Sequence, residues 1–235
     1  FELMRDLTTD DHLRCVVVIR PDTNDVLRGI DDVAALHPDY ISAVTPYYVG
    51  VSQAEIIGHY ARIADHSPVP IILYNIPQNT HNPIALESVF ELSQHPNIVG
   101  IKDSSGDFMR YQRGLLATGS SEFTWIQGED LLDAPSFMLG AQCIVTGLSN
   151  AWAEPYVAMY RAATQGDSAG VVAEQRRINE LARIIEQTNG RTIQAIKAVA
   201  SVLGRCTPHM RVPSMNLESA ARDLVASVVQ ELGLV

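Results

Sequence analysis

The sequence of 235 residues has no basic excess: 17 Lys and Arg stand against 27 Asp and Glu, a net charge of -10, with no run of like charge. Without a basic stripe to neutralise phosphates, no nucleic-acid partner is expected. No apolar stretch approaches the roughly 20 residues of a membrane span. Residues 1–11 are too acidic and polar for a signal peptide. The expectation is a soluble, cytoplasmic protein with no membrane partner. Cysteine is scarce, and Cys15, Cys143 and Cys206 form no CxxC pair and have no nearby pair of histidines. An odd number at wide spacing argues for reduced thiols rather than a disulfide framework or a metal site. Neither GxGxxG nor GxxxxGK[ST] occurs, so nucleotide phosphates find no cradle.

What the chain does have is apolar residues, 46% of the total, enough to bury a core. They fall into short β-branched runs at residues 16–19, 40–45, 69–74, 98–102, 123–127 and 143–146. Stretches of helical period separate them, the pattern of parallel strands joined by crossover helices. Ser52-Gln53-Ala54-Glu55 is a capping box, Asn82-Pro83 opens a helix that His95-Pro96 ends, Asp107 caps another, and Glu129-Asp130 begins one that stops at Gly140. Beyond Thr146 the pattern is helical only, over 154–163, 169–187, 192–203 and 217–232.

Six units fall short of the eight that close a (β/α)8 barrel. The chain opens Phe1-Glu2-Leu3 with no initiator Met. The expected fold is therefore α/β, a (β/α)8 TIM barrel whose first two units are missing from this chain. Residues 1–150 form barrel units three to eight and residues 151–235 form C-terminal helices packed on the barrel. An open doubly wound sheet is the alternative.

In such a barrel the chemistry lies at the carboxyl ends of the strands. Lys102 ends the run Ile98-Val99-Gly100-Ile101, which would place its amine in the barrel mouth. Keeping a lone ammonium out of water is costly, and the neutral amine this favours is the nucleophile that forms a Schiff base with a carbonyl. The plainer reading pairs Lys102 with Asp103 or Glu129. Tyr74 ends the preceding run, and a phenol there could pass protons to and from a carbinolamine oxygen, or simply pack and hydrogen-bond as most buried tyrosines do. Tyr47 and Tyr48 face the same choice.

Thr45-Pro46-Tyr47-Tyr48, Tyr74-Asn75-Ile76-Pro77 and Gly100-Ile101-Lys102-Asp103, in this order, closely resemble the dihydrodipicolinate synthase / N-acetylneuraminate lyase family of class I aldolases. The resemblance runs from about Leu7 to the C-terminus. Residues 1–11 look like the family's helix after the second strand, and Ile196-Lys197 with Arg211-Val212-Pro213 like its C-terminal part. It implies that Lys102 forms an imine with pyruvate or another 2-oxo acid and that Tyr74 relays protons. Tyr48 matches a tyrosine that reaches into a neighbouring subunit's site, which implies a homodimer or homotetramer. Gly128, Glu129 and Thr146 match positions lining the substrate pocket, and Thr45 belongs to the same substrate-binding set.

Departures accompany these matches. The family's Gly-Thr-Thr or Gly-Ser-Thr loop, which holds the substrate carboxylate, is absent, which implies an inactive chain as written. The stretch around residues 14–18 looks several residues short. Asn79 stands where true dihydrodipicolinate synthases carry an arginine for the second carboxylate, and an amide suits a hydroxylated chain better. His81 stands where a glycine is usual, either as a further ligand or as a surface histidine.

The resulting expectation is a lyase, an aldolase or dehydratase, acting on a 2-oxo acid such as pyruvate or a 2-keto-3-deoxy sugar acid. No metal and no cofactor are expected, since a protonated imine is itself the electron sink. Dihydrodipicolinate synthase is the close alternative. A barrel binding pyridoxal phosphate through Lys102 and a catalytically dead binding protein are rivals from other classes.

Overall fold

A computed structural model describes residues 12–118 and 122–235; the helix expected over residues 1–11 lies outside them. Six strands form one sheet in sequence order: β1 (Cys15–Val18), β2 (Tyr40–Val44), β3 (Ile71–Asn75), β4 (Ile98–Asp103), β5 (Thr124–Gln127) and β6 (Cys143–Ile144). Every pairing from β1 through β5 is parallel. Ten α-helices are found among the described residues: α1 (Thr23–Ala34), α2 (Gln53–His66), α3 (Pro77–Thr80), α4 (Leu86–Leu92), α5 (Phe108–Thr118), α6 (Asp133–Met138), α7 (Glu154–Thr164), α8 (Ser168–Gln187), α9 (Thr192–Val202) and α10 (Ser219–Glu231). The class is the expected α/β one, strands alternating with helices and then helices alone.

The local signals act as their chemistry dictates. Ser52 and Glu55 complete the capping box of α2, the Ser52 side chain accepting from the Glu55 amide and Glu55 accepting from the Ser52 amide. Asp107 accepts from the Arg110 amide at 2.9 Å at the head of α5. Helix α1, not singled out in the sequence, starts at Asp22, whose carboxylate accepts from the Asp25 amide at 3.0 Å.

Two expected starts are corrected. The helix expected from Asn82-Pro83 begins only at Leu86. The Asn82 side chain is spent elsewhere: it accepts from the Val51 amide (3.0 Å) and donates to the Pro46 and Val49 carbonyls (2.9 and 2.8 Å). The helix expected from Glu129-Asp130 is a 3-10 turn over Asp130–Leu132 followed by α6, ending at Gly140 with φ of 92°.

The described residues divide into two compact units, those within 12–127 together with 141–143, and those of 128–140 with 144–235. The core of the first consists of strand residues such as Ile41, Ile71, Leu73 and Ile101 together with Ile30, Ile56, Tyr60 and Ile63 from the helices, all without exposed surface. The core of the second gathers Leu148, Met159, Ile178, Leu181, Val199 and Val229 around the C-terminal helices.

Candidate active site

Parallel pairing of β3 with β4 sets Tyr74 directly against Lys102. Both side chains are half-buried, and the amine nitrogen lies 3.2 Å from the phenol oxygen and 4.4 Å from the centre of the ring. The alternation of a strand turns the next residue of each, Asn75 and Asp103, to the opposite face, where both are buried. Asp103 pairs with Arg110, not with Lys102. An amine and a phenol are thus held within hydrogen-bond reach of each other, a geometry that acid–base assistance at a carbonyl could use.

The loops after β2 and β3 line a cleft of about 770 Å³ in the first unit, with Tyr47, Tyr48, Asn79 and His81 on its wall. Tyr48 is 95% exposed and takes a left-handed backbone with φ of 79°; His81 does the same at 58°. Such values are uncommon for residues other than glycine and mark a constrained loop. Asn79 is exposed on α3. Thr45, in contrast, has no exposed surface, and its hydroxyl lies 2.9 Å from both the Thr80 hydroxyl and the Asn82 carbonyl. Its contacts brace one loop against the other.

His59, also on the wall of this cleft, was not singled out by the sequence. It is 3% exposed, with Nδ1 2.8 Å from the Thr23 hydroxyl, and burial pushes it down to about 4, so the ring is neutral at pH 7. A lone histidine on a helix rich in apolar residues carries no signal that separates it from an ordinary core position.

In the second unit Gly128 and Glu129 lead into Asp130, which is buried. The Asp130 carboxylate accepts from the Gly147 and Leu148 amides (3.2 and 3.1 Å) and from the Tyr156 hydroxyl (2.5 Å). The loop of Glu129 and the turn that follows Thr146 are joined in this way. Burial, and after it the charge of Asp130, raises the Glu129 carboxyl above the usual range. The Tyr156 phenol is pushed up by burial and then by Asp130. Among the described residues no group of three or more His, Cys, Asp or Glu is placed to hold a metal ion, and no helix is long and apolar enough to cross a membrane.

Residues 32–232 match the family model described as the Dihydrodipicolinate synthetase family. The 4-hydroxy-tetrahydrodipicolinate synthase of Methanosphaerula palustris is 35% identical over 145 residues, 62% of this chain and 50% of that protein. That of Cytophaga hutchinsonii is 30% identical over 209 residues, 89% of this chain and 68% of that protein. The chain thus spans between half and about two thirds of these relatives' length. Among solved structures, the dihydrodipicolinate synthase of Aquifex aeolicus superposes with a TM-score of 0.86 at 22% identity, over 94% of this chain and 74% of that one. The Bacteroides thetaiotaomicron enzyme gives 0.85 at 25% identity, over 92% and 74%.

Proposed function

The chain belongs to the dihydrodipicolinate synthetase family, and from that premise we propose that it serves a lyase that works on a 2-oxo acid, pyruvate foremost, through an imine on Lys102. The observation that carries this reading is the 3.2 Å approach of the Lys102 amine to the Tyr74 hydroxyl. The amine nitrogen adds to the C2 carbonyl carbon. Tyr74 carries the proton lost by the nitrogen to the new oxygen and then supplies the one with which the carbinolamine hydroxyl leaves as water. The iminium next accepts the electron pair of the bond broken one carbon away, and the Tyr74 phenolate takes up the proton released with the departing group. Thr45, Asn79, Gly128, Glu129 and Thr146 are the substrate-binding residues of this reading. Tyr48 completes the proton relay in the site of a second copy, in a homodimer or homotetramer.

A second reading, 4-hydroxy-tetrahydrodipicolinate synthase, is favoured by the names of the relatives. Against it, Asn79 presents an uncharged amide where condensation with aspartate semialdehyde calls for a charge-assisted clamp on a second carboxylate. Borohydride reduction of the full-length protein in the presence of pyruvate tests the chemistry common to both: one reduced pyruvyl group is expected on the peptide containing Lys102. Labelling of Lys197, or of neither lysine, overturns the mechanism. Lys102→Ala should abolish trapping and leave the far-ultraviolet circular dichroism unchanged. Aspartate semialdehyde set against a panel of hydroxylated aldehydes as the second substrate separates the two readings.

A further inference from the structure

Behind the Tyr74–Lys102 pair, on the other face of the same two strands, lies a polar assembly whose every member has a specified partner. Asn75 and Asp103 are paired in register, each 1% exposed. The Asn75 amide nitrogen donates to one Asp103 oxygen at 3.1 Å, the Ser105 amide donates to the same oxygen at 2.9 Å, and Arg110 pairs with the other. The second arm of Arg110 donates to the Ile84 carbonyl at 2.6 Å, while the Ile84 amide donates to the Asn75 side-chain carbonyl at 3.0 Å. The Ser104 amide closes the ring by donating to the Asn75 backbone carbonyl at 2.9 Å.

We propose that Asn75, Asp103 and Arg110 are positioning residues that set the distance between the Lys102 amine and the Tyr74 hydroxyl; this inference rests on the imine reading of that pair. Asn75 is bonded to Tyr74 and Asp103 to Lys102, so a cross-link between the first two restrains the backbone from which the reacting pair projects. The same ring grips both backbone groups of Ile84, the point to which the loop carrying Asn79 and His81 returns. Stability alone is a weak reason for such a ring, because a buried ion pair gains little over well-packed apolar residues of similar size. Its gain is in geometry: the planar guanidinium holds a carboxylate and a carbonyl at fixed angles, which a lysine ammonium cannot reproduce. Misplacement of reacting groups by about 1 Å can cost a hundredfold in rate.

Arg110→Lys keeps the charge and loses the fork, and Asn75→Ser shortens the link without adding bulk. In either variant the saturating rate of pyruvate trapping on Lys102 should fall about tenfold or more, with the half-saturating pyruvate concentration unchanged. Acetylation supplies a readout that needs no 2-oxo acid, because Lys197 is the other lysine of the chain and serves as internal reference. Released from Tyr74, Lys102 should be acetylated severalfold faster relative to Lys197 while the near-ultraviolet circular dichroism is retained. A folded variant with an unchanged Lys102 to Lys197 ratio overturns the inference, as does a trapping defect confined to the half-saturating concentration. If Arg110→Lys fails to fold, Asn75→Ser decides by the same criteria. Absence of any pyruvate adduct on the unsubstituted protein overturns the imine reading instead, and the acetylation ratio still judges the positioning role.

Discussion

Asp133 opens α6 with no exposed surface, and neither of its carboxylate oxygens has a hydrogen-bond partner among the described residues. An ionised carboxylate in that setting would carry an uncompensated desolvation cost. Burial first, then the charges of Asp130 and Glu129, push this carboxyl up to about 9, so the folded protein holds it as the neutral acid at pH 7. The unfolded chain releases the same proton near pH 4. Between those values the folded state binds more protons than the unfolded one, so stability falls as pH rises through the window from about 4 to about 9. The slope contributed by this one group approaches about 1.4 kcal/mol per pH unit at most. Urea unfolding at pH 5, 7 and 8.5 should show this decline, and Asp133→Asn should flatten it. An equal slope in both proteins would refute the neutral acid.

Among the helices and strands, the clearest demand on a single position comes from α5 against β5. A Cβ on Gly114 would lie 2.0 Å from a ring carbon of Trp125. That indole is 1% exposed, and its nitrogen donates to the Thr118 hydroxyl at 2.7 Å, so it has nowhere to retreat. Alanine would gain helix propensity of about 1 kcal/mol, but overpacking of this kind costs about 1–3 kcal/mol, more where the ring cannot turn. Gly114→Ala should therefore lower stability by about 2 kcal/mol, visible as a lower thermal midpoint together with altered Trp fluorescence; a midpoint at or above that of the parent would sink the packing argument. Element boundaries were legible wherever a cap is local, as at Ser52, Asp107 and Gly140. They were not legible at Asn82, because its side chain is engaged by backbone more than 30 residues away, and no window of neighbouring sequence reports that.

For the molecule as a whole, the exposed and left-handed Tyr48 bears on assembly. The Tyr48 side chain is 95% exposed, and aromatic residues are favoured at the centres of interfaces. If Tyr48 completes a neighbour's relay, sedimentation of the full-length protein should find a dimer or tetramer, and Tyr48→Phe should slow its turnover with assembly intact. An active monomer would remove Tyr48 from the site and leave Lys102 in it. What this sequence determined unaided was whatever depends on near neighbours: the alternation of strand and helix, the caps, and a lysine and a tyrosine each ending a β-branched run. Tertiary structure alone decided that Tyr74 and Lys102, 28 residues apart, come within 3.2 Å. It decided as well that Asp103 turns to Arg110, that Thr45 is buried as a brace, and that Asp130 joins the Glu129 loop to the turn after Thr146. The physical reason is register: periodicity fixes which residues share a face, but pairing between strands, with the burial it enforces, selects which of them meet.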